Sequence, residues 1–518
     1  MTERKVLWVD DEIELLRPHI IFLEERGYSV TPVTNGEDAI CLIKQRPFDV
    51  VLLDEMMPGS NGLTVLSKIR EVDATLPVVM VTKKEEEELM EEAIVKKATD
   101  FLTKPVNPSQ VLSVCKRILE ARQIREKRVA QEYASRATRV RSILSRQMDW
   151  RKWIDIYVEI CQWDIEIAAL RDSGLGQLHN DLKRECNVEF AKYIEQNYPL
   201  WLSGGDVPPL SVDIVPRFLA PILKDNRRVF FIVIDCMRLD HWFCLEPLLT
   251  EFFTINCDYY YSILPTATPY SRNAIFSGLF PSELARKYPD VWAMDKDDEQ
   301  SLNRYEHRFL DDQLQKLGFH LRATKYVKVF DAIGAGDLTN RLPSFGSVPL
   351  VSMVFNFVDL LVHGRSKSEI LYQIAPDEAG FRSLTKSWFT HSSLLDMLRN
   401  LARTDAVVVL TSDHGSVLSR RANIVYGDRH TSASLRYKYG NSLNCDSRGA
   451  VLIRDPEEFN LPRFSPATNF ILAKEDYFLV YPTRFHEHER RYRESFQHGG
   501  ISLEEMILPV VVMESKHG

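Results

Sequence analysis

The apolar runs of this sequence end on aspartates. VLWV leads into Asp10 and Asp11, VVLL into Asp54, VFFIVI into Asp235 and VVVLTS into Asp413. Short, near-continuous apolar runs mark strands covered on both faces, as in parallel sheets flanked by helices. In such sheets the carboxyl ends of the strands form the ligand crevice. The chain is therefore constrained to α/β layers with acidic sites at strand ends.

A length of 518 residues is too great for one core and implies several domains. With 45% hydrophobic and 27% charged residues, the composition is that of ordinary globular protein. No apolar run reaches the ~18 residues of a membrane span, so no membrane insertion is expected. The start, MTERKVLWVDDE, has no signal-peptide pattern, and a cytoplasmic location is expected. The eight cysteines form no CxxC pair and read as reduced, buried small hydrophobes. A net charge of −8 gives no global reason to expect nucleic-acid binding.

Residues 1–120 alternate the runs VLWV, VTPV, VVLLD, PVVMVT and DFLTKP with amphipathic segments. This predicts a doubly wound parallel sheet of the flavodoxin-like kind. Asp10, Asp11, Asp54, Thr82 and Lys104 all fall at strand ends. Three carboxylates in one crevice repel one another unless a hard cation such as Mg²⁺ lies among them. An acyl phosphate on Asp54, neutralised by Lys104 and hydrogen-bonded by Thr82, is the natural product.

Residues 121–205 lose strand character and read as a helical bundle acting as connector. A long amphipathic helix carries apolar positions Ile118, Leu119, Val129, Val140, Ile143 and Leu144, and a break is expected at Gly174 and Gly176. No helix-turn-helix is recognisable. LSGGDVPPLS, at 202–211, marks the boundary into a third module, 206–518.

That module opens with RRVFFIVIDCMRLDHW, ending a strand on Asp235. VPLVSMVFNFVDLLVHG then brings Asp359 and His363, AVVVLTSDHGS brings Asp413 and His414, and FQHGGISLEEMILPVVVM brings His498. Carboxylate and imidazole together suit Zn²⁺, and two such ions about 4 Å apart can steady both the attacking and the leaving oxygen of an in-line displacement. The attacking hydroxyl belongs at a helix start, where the dipole favours phosphate oxygens. Thr268, ahead of SRNAIFSG, is so placed; Ser271 is the rival, and Thr266 and Ser262 lie earlier. His486 and His488 in FHEHERRYRE stand in a charged setting that reads as exposed. The insertion at 419–440, rich in Arg, Lys and Tyr, reads either as a nucleotide-holding element or as a solvated loop.

The first module resembles a two-component receiver domain over its whole length. The resemblance implies phosphorylation of Asp54, Mg²⁺ held by Asp10, Asp11 and Asp54, a switch read by Thr82, Lys104 and the aromatic Phe101, and a sensor histidine kinase as phosphodonor. Lys83 and the run KKEEEE depart from the usual receiver pattern. The third module resembles the alkaline phosphatase superfamily and, within it, the PglZ-type domains. PTATPYSRNAIFSGLFP is similar to the nucleophile segment of nucleotide pyrophosphatase/phosphodiesterases, which implies Thr268 as nucleophile and puts Ser271 where a phosphate-contacting Asn lies. The resemblance assigns Asp235, Thr268, Asp413 and His414 to one zinc and Asp359, His363 and His498 to the other. Ser271 and Arg272 become substrate-binding candidates.

Taken together, the three modules resemble response regulators associated with type IX secretion. The implied function is a phosphorylation-controlled, metal-dependent phosphodiesterase acting on nucleotides or oligonucleotides, with phosphorylation-dependent homodimerisation. Two other readings stand beside it. One is a non-catalytic metal-bound domain that regulates transcription or secretion through a nucleotide, a sigma factor or a secretion component. The other is a phosphomonoesterase or phosphotransferase. Zinc versus manganese is left open by the residues.

Overall fold

The computed structural model describes residues 4–516 apart from 59, 74, 84–97, 145, 147, 171–172, 291–301, 330–341, 367, 428–433 and 484. Two compact units divide at Arg136 and Ala137.

In the first unit, strands β1 (Arg4–Val9), β2 (Tyr28–Val33), β3 (Val50–Asp54), β4 (Val78–Thr82) and β5 (Asp100–Thr103) form a parallel sheet in the order β2-β1-β3-β4-β5. Order reverses beside β1 and β3, the strands that end at Asp10 and Asp54, which is where a doubly wound sheet opens its crevice. Val6 and Trp8 pack one face with Val111 and Cys115, while Leu7, Val9, Leu53 and Met80 pack the other. The run KKEEEE, except for Lys83, and the helix expected after it lie outside the described residues.

Helix α1 (Pro108–Leu144) follows β5, and the division between units falls inside it. Helices α2 (Trp150–Leu170) and α3 (Ser173–Leu202) belong to the second unit. The expected glycine break is corrected here: Gly174 and Gly176 lie inside the first turn of α3, where glycine costs little because the initial N–H groups lack intrahelical partners anyway.

The second unit is built on a six-stranded sheet. Strands β6 (Val229–Ile234), β7 (Phe253–Tyr261), β8 (Thr324–Val329), β9 (Leu350–Phe355), β10 (Val407–Thr411) and β11 (Ile507–Ser515) lie in the order β8-β9-β6-β10-β11-β7. The first four are mutually parallel, and β11 runs antiparallel to both neighbours. Strands β6, β9 and β10 are buried at every residue, as their unbroken apolar runs demand. They stand side by side in the middle of the sheet, so Asp235, Asp413 and the helix that follows β9 converge at one edge. His498 is the exception among the ligand candidates: it comes before β11 and follows the short strand Ser495–Gln497, which pairs with Val417–Ser419.

Among the described residues, no helix is long and apolar enough to cross a membrane.

Candidate functional site

In the first unit, Asp10 and Asp54 are buried and Asp11 is exposed, with one carboxylate oxygen of each within 4.8 Å of the others. Lys104 places its ammonium 2.8 Å from Asp10 Oδ2 and 3.0 Å from Asp54 Oδ2. Burial pushes the Asp54 carboxyl up, and the Lys104 hydrogen bond pulls against it. Burial likewise opposes the Lys104 charge, but its bonds to Asp10 and Asp54 hold the ammonium above the usual lysine value. Thr82 is buried at the end of β4, and Phe101 is half-buried against the sheet core.

In the second unit, six of the seven residues singled out in sequence gather into two adjoining groups, with Thr268 beside them. Asp235, Asp413 and His414 form one, all buried; Asp359, His363 and His498 form the other. Asp359 and His363 lie one turn apart on helix α5 (Phe357–Arg365), so both face the same side. Asp359 Oδ1 is 3.4 Å from His363 Nε2 and 3.5 Å from His498 Nε2, and the two imidazole nitrogens are 3.3 Å apart. The rings of His414 and His498 stack at 4.3 Å and join the two groups. Thr268 opens helix α4 (Thr268–Ser277), and its Oγ1 lies 3.0 Å from His414 Nε2.

The buried polar atoms here are incompletely satisfied. Asp235 Oδ1, Asp413 Oδ2, Asp359 Oδ1 and His498 Nδ1 have no hydrogen-bond partner. Buried polar groups are normally paired, and four exceptions in one cluster fit a site made for cations. Burial raises the Asp235 carboxyl to about 7 despite Arg272, with Asp413 adding to the rise; burial also raises Asp413. Burial lowers His414 and His498, leaving neutral imidazoles fit to act as ligands. For Asp359, burial is outweighed by the neighbouring imidazoles of His363, His498 and His414, which hold its carboxyl well below the usual range.

The turn after β6 is strained. Cys236 has φ +65°, a left-handed conformation costly for a residue with a Cβ. It turns the backbone so that Cys236 N–H donates to Asp413 Oδ1 (3.2 Å) and Met237 N–H donates to Ser412 Oγ (2.9 Å). The two loops that carry the first group are thereby tied together.

Ser271 and Arg272 are both buried. Ser271 is fully buried and hydrogen-bonds Ser262 Oγ at 2.8 Å, on the inward face of α4. Arg272, 2% exposed, donates to Asp235 Oδ2 and to Glu306 Oε1, each at 2.6 Å. Asn356 also donates to Asp235 Oδ2 (2.9 Å), while Tyr326 and Lys328 hold the other oxygen of Glu306. Arg272 thus fixes one oxygen of Asp235 and leaves the other facing His414.

Sequence reasoning missed a second network behind the loops. Arg238 makes two 2.8 Å bonds to Asp240, one of 2.7 Å to Glu378, and reaches the Ser416 carbonyl. Lys183, on α3, lies 3.0 Å from Glu378 and 3.3 Å from both Asp164 and Glu504. Asn187 donates to Glu504 (3.1 Å) and accepts from Leu503 N–H (2.9 Å). Gly415, next to His414, passes so close to Glu504 that a Cβ there would meet its carbonyl oxygen at 1.9 Å. The helical connector therefore packs its charges against the backs of the ligand loops. Only the charged, otherwise unexplained Lys183 in a helical stripe could have hinted at this.

The insertion at 419–440 is also corrected. Arg436, Tyr437 and Lys438 are buried, Arg436 pairing with both oxygens of Glu505, so these side chains serve packing. Residues 428–433 of it lie outside the described residues. His486, on the helix Phe485–Tyr492, has a side chain 93% exposed.

Comparison with known proteins defines the class. Residues 6–116 match the response regulator receiver domain, 123–202 the PorX response regulator linker domain, and 215–513 the BREX system PglZ alkaline phosphatase-like domain. This order is that of a response regulator whose output module is an alkaline-phosphatase-like domain. The chain belongs to the PglZ family and, with its linker, to the PorX-type response regulators.

Similar relatives include the transcriptional regulatory protein ResD of Bacillus subtilis, 37% identical over 23% of this chain and 48% of that protein. The transcriptional regulatory protein BaeR of Escherichia coli is 32% identical over 29% of this chain and 62% of that protein. The chain thus spans about half the length of these relatives. Among solved structures, chemotaxis protein CheY4 of Vibrio cholerae is 29% identical over 23% of this chain and 99% of its own, with a TM-score of 0.22.

Proposed function

We propose that the C-terminal domain is a two-zinc phosphodiesterase acting on nucleotides or oligonucleotides, with Thr268 as nucleophile. Phosphorylation of Asp54 by a sensor histidine kinase controls its assembly as a homodimer, and with that its activity or accessibility, in the service of type IX secretion. The observation that carries the reading is Thr268 Oγ1 at a helix start, 3.0 Å from His414 Nε2, beside two groups of ligands with unsatisfied buried atoms.

Asp235, Asp413 and His414, with Thr268, would hold one zinc, and Asp359, His363 and His498 the other. Three imidazoles in the set favour zinc over manganese. Bound there, the pair would lower the pKa of a hydroxyl and offset charge on phosphate oxygens. Thr268 Oγ, its proton given to solvent, forms a bond to phosphorus as the bond to the leaving oxygen breaks on the opposite side and that oxygen takes up a proton; water then breaks the Thr268 O–P bond, releasing a phosphomonoester and restoring the hydroxyl. The N-terminus of α4 favours the phosphate oxygens. Arg272, anchored by Glu306, orients the carboxylate of Asp235.

In the receiver, Asp10, Asp11 and Asp54 would hold Mg²⁺, and Lys104 already neutralises the oxygen positions a phosphoryl group takes.

The test is hydrolysis of bis-p-nitrophenyl phosphate and of p-nitrophenyl phosphate by zinc-loaded protein and by Thr268→Ala. A preference for the diester that vanishes in the variant supports the reading. A preference for the monoester makes the enzyme a phosphatase, and no turnover of either with both metals bound makes the domain a binding module.

A further inference from the structure

Helix α3 carries Lys183, Asn187, Phe190, Ile194, Tyr198 and Trp201 at spacings of three and four, and all six are buried. Residues so spaced share one face of a helix. From Lys183 to Tyr198 that face runs about 22 Å. Its middle is apolar, while polar groups stand at both ends and reach the loops that carry the candidate site.

At one end, Tyr198 Oη accepts the Leu264 N–H at 3.1 Å. Leu264 is fully buried, and among the described residues its N–H has no other acceptor. A buried amide without a partner is costly, so the hydroxyl fixes the backbone at this point. Thr268 comes four residues later. Between them, Thr266 Oγ1 donates to the Gly500 carbonyl at 2.8 Å, which ties the nucleophile loop to the loop of His498.

At the other end, Asn187 uses both atoms of its amide. Its oxygen accepts the Leu503 N–H at 2.9 Å and its nitrogen donates to Glu504 at 3.1 Å. These two residues open the short helix Leu503–Met506. In that helix, Glu505 Oε1 accepts the Gly500 N–H at 2.8 Å, and the Glu505 carbonyl accepts the Gly415 N–H at 3.2 Å. Gly500 follows His498 by two residues, and Gly415 follows His414 directly. One turn of helix thus passes the position of Asn187 on to both imidazoles. The backbone contact between Gly415 and Glu504 leaves no slack in this chain of contacts.

We propose that α3 is the rear wall of the site, with Tyr198 positioning Thr268 and Asn187 positioning His414 and His498, so that the linker is a working part of the site rather than a spacer. The role of Tyr198 rests on the phosphodiesterase reading; that of Asn187 requires only that the two histidines bind metal. A misplacement of about 1 Å at a reacting group costs on the order of 10²-fold in rate, and loss of a group that orients metal ligands weakens metal binding by about 10- to 100-fold.

The experiment compares full-length protein with Tyr198→Phe, Asn187→Leu and, as a packing control, Leu182→Ala, a buried residue on another side of α3. Hydrolysis of bis-p-nitrophenyl phosphate at saturating zinc gives kcat and KM, competition with a chelator gives zinc affinity, and thermal unfolding of metal-free protein gives stability. Tyr198→Phe is expected to lower kcat about tenfold or more while KM and zinc affinity stay within about twofold. Asn187→Leu is expected to bind zinc about tenfold more weakly. Leu182→Ala lowers the melting temperature and leaves kcat and zinc affinity within about twofold. Unchanged kcat in Tyr198→Phe, unchanged zinc affinity in Asn187→Leu, or losses in Leu182→Ala equal to theirs overturn the wall. If zinc-loaded wild-type protein does not cleave the diester, the phosphodiesterase reading fails, and zinc affinity still decides the wall: weaker binding by Asn187→Leu than by Leu182→Ala supports it, and equal binding overturns it.

Discussion

The two acidic sites solve the same electrostatic problem differently. Each places carboxylates at the ends of parallel strands, where like charges repel. In the receiver a cation from the chain itself stands among them: Lys104 touches both Asp10 and Asp54. In the phosphatase-like domain Arg272 stands behind Asp235, occupying one oxygen and leaving Oδ1, with Asp413 Oδ2 and Asp359 Oδ1, without a hydrogen bond. A site with its own cation in front can exchange one small, hard ion and a phosphoryl group reversibly, as a switch must. A site whose internal cation is behind, with neutral imidazoles in front, has a donor set suited to holding metal ions.

The comparison is broken most severely at Thr268. Thr268→Ala is expected to lower turnover of bis-p-nitrophenyl phosphate by at least about 10³-fold while the three remaining ligands of its zinc keep most of the metal content, measured by atomic emission. Loss of one whole zinc together with activity would explain the lost turnover by ligation alone and leave the nucleophile role without support.

Asp359→Asn is expected to halve the zinc content and to lower turnover about 100-fold or more. Asp10→Asn in the receiver should leave both unchanged and abolish phosphorylation by acetyl phosphate. Equal effects of the two substitutions on zinc would erase the distinction between the sites.

Lys183→Met removes the cation shared by Asp164, Glu378 and Glu504. Leaving buried carboxylates unpaired costs about 3–5 kcal/mol, read as a shift in the second unit's unfolding midpoint. Folded protein should also bind zinc more weakly, up to about tenfold, because Glu504 abuts the loop at Gly415.

The smallest effect is on pH. With its folded value raised to about 7, Asp235 favours the metal-free fold fully below the ordinary carboxyl value, and this contribution is lost as pH rises through 7. Relative to Asp235→Asn, in which the buried imidazoles His414 and His498 contribute alike, metal-free protein should therefore lose melting temperature between pH 5 and pH 8. Calorimetry at pH 6 in buffers of different ionisation enthalpy should show proton release on zinc binding.

Much of this was legible from sequence because the chemistry sits where the pattern changes. Asp54, Asp235 and Asp413 close apolar runs, and Asp359 and His363 share a helical face at i and i+4. Their gathering follows once β6, β9 and β10 are adjacent. Side-chain direction was not legible. Ser271 and Arg272, three and four residues after Thr268, share its side of the helix, but the helix is enclosed beyond its first residue, and their partners, Ser262 and Asp235, come from other segments. Arg436 looked like a solvated basic residue because its partner, Glu505, is remote in sequence. Lys183 and Glu504 lie more than 300 residues apart, and no local periodicity encodes such a pairing. His498 precedes its long strand because the ligand is delivered by the short ribbon with Val417–Ser419.

The most direct test of the central claim is a titration of metal-stripped protein with zinc, following bound zinc and bis-p-nitrophenyl phosphate hydrolysis together. The account predicts activity that appears only as both C-terminal sites fill and that is absent at every zinc level in Thr268→Ala. Full occupancy of both sites without hydrolysis, or hydrolysis that survives in Thr268→Ala, would contradict it.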